Sequence, residues 1–141
     1  MKNFFWNISG LNDPIKQRDL RTLITNQTFS LFALLKTFIR PCKEAEISCS
    51  FARYDYYFKY DGVSNGRIWV FWDLSVCTLD VLQAIAQITH YYIAFDNSMV
   101  PLTFLYRFPT YMPRHSLRDL RSMSPNLEPW CVLGDFNSVL F

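Results

Sequence analysis

Two polar side chains near the end of the chain have the types and spacing of a ligand site. Asp135 and Asn137 follow the apolar run Trp130–Leu133, which predicts a buried strand, and Gly134 after that run predicts a backbone turn. A carboxylate and an amide are therefore expected at the carboxyl end of a strand, where ligands bind in open α/β sheets. The alternative is that both side chains only shape a turn by bonding to their own backbone.

The composition predicts one folded domain. The chain has 141 residues, of which 50% are hydrophobic and 18% aromatic, enough for a sizeable core. The formal net charge of +2 is too small to imply nucleic-acid binding by itself. No segment approaches the roughly 18 apolar residues of a membrane helix, and the run Phe4–Trp6 is too short for a secretory signal. We therefore expect an intracellular protein without a membrane partner.

The cysteines argue against a zinc site. The sequence has 4 cysteines, at Cys42, Cys49, Cys77 and Cys131, without a Cys-x-x-Cys pair and with only 2 histidines, His90 and His115. Cys77 and Cys131 lie in apolar, strand-like segments, which predicts that both are buried thiols.

The first third of the chain predicts a strand–helix–strand unit. The predicted elements are a strand at 4–8, a helix at 14–26 and a strand at 31–35. Asp13 can cap the helix, and Pro14 suits its first turn because the missing N–H costs nothing there. The short apolar run at 31–35 is typical of a buried parallel strand.

The remaining elements are mostly strands. We predict a loop over 41–61 that contains one strand near 56–60, then a turn at 64–66. Further strands are predicted at 67–72, 76–83, 86–94, 102–106 and 130–133, with a helix at 113–123 and a helical alternative at 84–86. This order indicates an α/β (α+β) domain with a mixed sheet and helices on one face.

Four segments, in this order, resemble the endonuclease/exonuclease/phosphatase (DNase I-like) superfamily, and most closely its plant LINE-type retrotransposon branch. Trp6–Leu11 resembles the opening strand motif and Leu31–Thr37 the second strand, whereas Gly66–Asp73 and Gly134–Asn137 resemble two later strands. The resemblance covers nearly the whole chain. It implies a sandwich of two sheets flanked by helices, Mg²⁺-dependent hydrolysis of nucleic-acid phosphodiesters, and DNA as the partner.

The resemblance also implies roles for individual residues. Asn7, together with a glutamate on the second strand, reaches the metal, while Asp135 activates or positions the attacking water. Asn137 orients the phosphate or Asp135, and Tyr106 contacts the phosphate. Mg²⁺ prefers oxygen ligands, and it neutralises the charge that develops on the phosphoryl oxygens. The alternatives are a packed aromatic ring for Tyr106 and strand-end capping for Asn7.

One departure from the family pattern predicts impaired catalysis. Lys36 stands where active relatives carry the metal-binding glutamate, so a cation replaces an anionic ligand. An ammonium group repels Mg²⁺ and has no acceptor with which to hold it. Ser9 replaces the usual arginine, and Arg107 replaces the usual glycine after the tyrosine.

The family's later elements, including a Ser-Asp-His motif, have no match. We therefore expect residues 1–141 to be a partial, truncated domain whose second sheet is incomplete, with an exposed apolar face that favours self-association. The favoured interpretation is a catalytically impaired fragment of retrotransposon origin that does not bind Mg²⁺ tightly. A weak nuclease or phosphatase, and a non-catalytic module that binds nucleic acid or protein, are the alternatives.

Overall fold

The computed structural model describes residues 1–60, 66–85, 88–106, 113–124 and 128–135. These residues form two compact units, Met1–Thr78 and Leu79–Phe141. The described strands form two four-stranded sheets. The expected mixture of helices and strands is therefore confirmed.

The first unit contains the predicted strand–helix–strand opening. Its elements are β1 (Asn3–Asn7), α1 (Pro14–Asn26), β2 (Leu31–Leu35), α2 (Glu44–Ser48) between the 3₁₀ turns Pro41–Lys43 and Cys49–Phe51, β3 (Asp55–Tyr60) and β4 (Gly66–Trp72). The sheet order is β1-β2-β4-β3. The pair β1–β2 is parallel, and the other two pairs are antiparallel.

Helix α1 has the predicted bounds and the predicted cap. The Ile15 backbone N–H donates to Asp13 Oδ1 at 2.8 Å, and Pro14 is the first helical residue. The predicted loop is wrong over its first part, because residues 41–51 form short helical turns. Ile47 and Phe51, four residues apart, are 4% and 5% exposed and join the core, so tertiary burial stabilises these turns.

An aromatic core fills the first unit. Phe32 of β2 stacks on Phe71 of β4 with ring centroids 4.5 Å apart, and Phe58 of β3 stacks on Trp69 at 4.0 Å. Leu20 of α1 is fully buried in the same cluster. Every residue of β2 is buried, as expected for a central strand with apolar residues on both faces.

The described part of the second unit consists of four strands and one helix. Its elements are β5 (Thr78–Ile85, starting at the boundary), β6 (Ile88–Phe95), β7 (Ser98–Tyr106), α3 (Pro113–Ser122) and β8 (Cys131–Asp135), and the sheet order is β5-β6-β7-β8. The pair β6–β7 is antiparallel, and β7–β8 is parallel. Asp96 and Asn97 connect β6 to β7 with φ of 45° and 59°, the left-handed values of a two-residue hairpin turn.

The helical alternative at 84–86 is wrong for Ala84 and Ile85, which lie in β5, whereas Ala86 lies outside the described residues. Ser64 and Asn65 of the predicted turn also lie outside them. Leu120 and Met123, in and just after α3, pack against Ile88 and Leu105 on one face of the second sheet.

The predicted burial of two thiols is only half confirmed. Cys77 is buried, and this burial raises the pKa of its thiol. Cys131 is exposed, and the rest of β8 is only half-buried. The prediction failed there because β8 lies at the edge of its sheet among the described strands, beside β7. No helix in the described ranges is long and apolar enough to cross a membrane.

Candidate functional site

The carboxyl ends of β1 and β2 bring together two of the sequence-predicted positions. The two strands are parallel, Asn7 is the register partner of Leu35, and Lys36 follows directly. Backbone hydrogen bonds continue past the strands, from Gly10 N to Lys36 O at 2.7 Å and from Leu11 N to Thr37 O at 2.7 Å. The two segments therefore leave the sheet side by side, with Asn7 exposed and Lys36 half-buried.

Side chains of α1 and its N-terminal loop stabilise this strand end. The Lys16 ammonium donates to Ile8 O at 2.9 Å and to Ser9 O at 2.7 Å. The Asn12 amide donates to Phe38 O at 2.9 Å. These contacts could not be predicted from the residue types, because backbone carbonyls of any residue can accept such hydrogen bonds.

The backbone at this strand end is strained. Ser9, Lys36 and Phe38 have φ of 48°, 54° and 54°, in the left-handed region that favours glycine. Each such non-glycine residue costs about 1–2 kcal/mol. Strain of this kind clusters at functional sites, where the surrounding structure holds it in place.

The donors at this strand end do not fit a Mg²⁺ ion. Mg²⁺ requires near-octahedral oxygen coordination, often with one or two carboxylates. Here the amide of Asn7 is a neutral donor, and Lys36 contributes a cation without an acceptor. Within the described ranges, the structure contains no group of three or more His, Cys, Asp and Glu side chains that could hold a metal.

The carboxyl ends of β7 and β8 bring together two further predicted positions. Tyr106 and Asp135 are register partners in the parallel pair, so their side chains lie on the same face of the sheet. Tyr106 is 4% exposed, and Asp135 is half-buried. Leu105, the preceding residue on β7, faces α3, which places Tyr106 and Asp135 on the opposite face. Asn137 and Arg107 lie outside the described residues.

Gly134 serves close packing, and the predicted turn at this residue is wrong. Gly134 is inside β8 and pairs with Leu105 of β7. A Cβ atom at position 134 would lie 2.8 Å from Leu105 Cβ and would also overlap the Leu105 carbonyl oxygen. Glycine in a strand interior often marks such a close approach of two backbones.

A buried carboxylate that sequence reasoning missed lies at the end of β4. Asp73 accepts hydrogen bonds from Ser75 Oγ at 2.6 Å, Ser75 N at 3.0 Å and Arg53 Nε at 2.7 Å. The Ser75 hydroxyl has the largest effect in lowering the Asp73 pKa, and the Arg53 guanidinium lowers it further. The sequence Asp-x-Ser is a possible signal for the turn, but nothing in it indicates Arg53, 20 residues away.

A small open cleft lies beside this ion pair. Its volume is about 240 Å³, and it is lined by the end of α1 and by residues 50–54, including Arg53 and Tyr54. Burial raises the pKa of the Tyr54 phenol, which donates to Phe29 O at 3.2 Å. These contacts connect the segment after α2 to the residues before β2, so the corner has a structural role.

No protein-family model and no curated protein sequence matches this chain. Solved structures do match it. The endonuclease domain of TRAS1, a telomere-specific non-LTR retrotransposon, superposes with a TM-score of 0.72 and 11% identity over 96% of this chain and 59% of that domain. D. rerio TDP2 in complex with a single-strand DNA product gives a TM-score of 0.66 and 12% identity over 96% and 60%.

An endonuclease/exonuclease/phosphatase family protein from Bacteroides thetaiotaomicron gives a TM-score of 0.63 and 11% identity over 96% of this chain and 62% of its own length. The chain thus spans about three fifths of each of these three structures. At such low identity the likeness concerns the fold. With two four-stranded sheets among the described strands and a match over 96% of its length, the chain shares the DNase I-like fold of these structures.

Proposed function

We propose that this chain is a catalytically impaired relative of the Mg²⁺-dependent phosphodiesterases that hydrolyse nucleic acids, with its origin in a LINE-type retrotransposon of the plant branch. The fold supports this proposal, as does the retrotransposon endonuclease among its structural neighbours. The observation that carries it is the position of Lys36, directly after β2 and beside the end of β1 where Asn7 lies.

The impairment follows from charge. Hydrolysis of a phosphodiester develops negative charge on the phosphoryl oxygens, and a divalent ion supplies the compensation in this class of enzymes. Two unit charges about 4 Å apart interact by about 4 kcal/mol at an effective dielectric constant of about 20, and a divalent ion doubles this. Lys36 directly follows β2, beside the end of β1 that carries Asn7, and its positive charge therefore opposes metal binding at the β1–β2 end.

The β7–β8 end keeps groups that suit the ancestral reaction. The Asp135 carboxylate can accept a proton from water, and the Tyr106 hydroxyl can donate a hydrogen bond to a phosphate oxygen. Because the two residues are register partners, both lie at the carboxyl ends of β7 and β8. The loss of activity is thus attributed to Lys36, whereas Asp135, Asn137 and Tyr106 keep the sequence positions that they had in the ancestral enzyme.

Plasmid nicking in Mg²⁺ or Mn²⁺ tests this proposal. We expect no cleavage by the parent chain and measurable cleavage by Lys36→Glu. Adding Asp135→Ala to Lys36→Glu should abolish the activity again. Lys43→Glu is the matched control, because it makes the same charge change at an exposed residue in the turn before α2.

Two outcomes contradict the proposal. Cleavage by the parent that Asp135→Ala abolishes would show that the site still works. A silent Lys36→Glu variant that binds no more Mn²⁺ than the parent would show that Lys36 is not the cause of the impairment.

A second candidate function is non-catalytic binding of nucleic acid. The observation that favours it is again Lys36, since an ammonium group can contact a phosphate even though it cannot hold a metal. Binding of single-stranded DNA that weakens with salt and with Lys36→Met, without cleavage, would support this function. Binding of a protein partner and self-association of the chain stay predictions, and sedimentation velocity at two concentrations would test self-association.

A further inference from the structure

Three side chains from neighbouring segments of the second unit, two of them buried, form a hydrogen-bonded line. Trp130 Nε1 donates to Thr103 Oγ1 at 2.8 Å, and His90 Nδ1 lies 2.7 Å from the same oxygen. His90 and Thr103 are register partners across β6 and β7. Thr103 is fully buried and His90 is 7% exposed, so both side chains are largely shielded from water.

The indole of Trp130 has a fixed role in this line, whereas the role of His90 depends on its tautomer. An indole N–H can only donate, so the Thr103 oxygen accepts from Trp130. The Thr103 hydroxyl can then donate its proton to His90 Nδ1 in the neutral tautomer that carries its proton on Nε2. Protonation of His90 turns Nδ1 into a donor and forces the Thr103 proton to a new direction.

The line matters for β8 because this strand has few other restraints. Among the described strands β8 lies at the edge of its sheet with β7 as its partner, and its residues are exposed or half-buried. Trp130 directly precedes Cys131, the first residue of β8, which pairs with Leu102. A slip of one residue along β7 would turn every side chain of β8 to the other face, including Asp135.

We propose that His90, Thr103 and Trp130 form a register anchor for β8, in which neutral His90 orients the Thr103 hydroxyl that holds the Trp130 indole. Protonation of His90 weakens the anchor and loosens β8 from β7. The anchor itself follows from the hydrogen bonds of the second unit. Its consequence for Asp135 as a site residue rests on the proposed function.

The surroundings of His90 set the direction of its pH response. The Tyr92 and Trp130 rings lie 6.4 and 6.3 Å from its ring. Of the charged side chains that the structure describes, Asp80 lies on β5, Arg118, Asp119 and Arg121 lie on α3, and Glu128 lies two residues before Trp130. Burial lowers the pKa of His90 below its ordinary value of 6.5. The unfolded chain therefore binds the proton more readily, and the anchor is intact above pH 6.5 and weakens as the pH falls below it.

Amide hydrogen exchange measured by NMR between about pH 7.5 and about pH 5 tests the anchor. After correction for intrinsic exchange, we expect protection of the β8 amides to fall by about tenfold or more at the lower pH, with the central β6–β7 amides unchanged. His90→Asn offers Thr103 a non-titrating acceptor and should remove the pH response. His115→Asn, at the other histidine, is the matched control and should keep it.

Thr103→Val should lower β8 protection at both pH values, because it removes the shared hydroxyl, whereas Thr103→Ser should retain it. If Thr103→Val unfolds the whole unit, the pair Thr103→Ser and His90→Asn still decides the question. Equal β8 protection in the parent and a folded Thr103→Val, or a pH response that persists in His90→Asn, would overturn the proposal. This readout involves no cleavage, so its failure is distinct from failure of the proposed function.

Discussion

Two parallel strand pairs in the described part of the chain, β1–β2 and β7–β8, place polar residues at their carboxyl ends in different ways. At the β1–β2 end, backbone hydrogen bonds and Lys16 hold three strained non-glycine residues, including Lys36. At the β7–β8 end, regular register places Asp135, and close backbone packing at Gly134 permits it. The contacts described for the first end use backbone atoms and the side chains of Lys16 and Asn12, so a lysine can occupy position 36 without loss of the fold.

The largest effect should come from Gly134→Val, which tests the close packing at the second end. The added side chain would overlap Leu105, so we expect a loss of about 1–3 kcal/mol in the free energy of unfolding or local detachment of β8. Thermal unfolding together with amide exchange of β8 measures both. Cys131→Ala, at an exposed position on the same strand, should change stability by less than about 0.5 kcal/mol. A Gly134→Val variant as stable as the parent would contradict the close approach.

An intermediate effect should come from a fall in pH, because the stabilities of the two units should respond to acid at different pH values. The Asp73 pKa is lowered in the folded chain, so its contribution to stability is full above pH 3.8 and is lost as the pH falls below that value. The first unit should therefore stay protected at pH values where β8 already loosens. At neutral pH we expect Asp73→Asn to cost about 1–2 kcal/mol, because its charged hydrogen bonds are lost and Arg53 is half exposed.

Amide exchange of β4 and β8 across the same pH range checks this order of events. Asp55→Asn, at an exposed aspartate that starts β3, is the control and should have little effect. If the β4 amides lost protection at the same pH as the β8 amides, the ion pair of Asp73 and Arg53 would not be stabilising the first unit independently of the second.

The smallest effect should come from Lys36→Gly, which tests the strain at the first end. Glycine adopts the φ of 54° without a steric penalty, but it also gains entropy in the unfolded chain. We expect a net stabilisation of about 0.5 kcal/mol, measured by denaturant unfolding. Lys43 has a φ of −99°, so the control variant Lys43→Gly relieves no backbone strain and should destabilise the chain. Destabilisation by Lys36→Gly would show that contacts of the lysine side chain outweigh the strain.

Much of the fold was predictable from local pattern. The apolar run of β2 and the Asp13–Pro14 start of α1 specify elements whose bounds the structure reproduces. The five-residue helix α2 was not predictable, because its stability comes from burial of Ile47 in a core built by distant strands. Gly134 was misassigned because glycine after an apolar run is compatible with a turn and with close strand packing.

The candidate site was predictable only in part. The positions of Asn7 and Lys36 beside each other follow from the parallel strands of a βαβ unit, and the resemblance indicated Tyr106 and Asp135. The contacts of Lys16 could not be predicted, since its partners are carbonyl groups. The contact between His90 and Trp130 depends on strand register that no local pattern specifies.

The tight turn at Asp96–Asn97 also bears on the order in which the second unit folds. A two-residue connection costs little loop-closure entropy, so β6 and β7 can pair as a hairpin within about 1–10 μs. β8 must wait until α3 and the segments around it have brought the chain back beside β7, because a parallel partner requires a crossover. β8, which carries Asp135, therefore joins its sheet last, after β6 and β7 have paired.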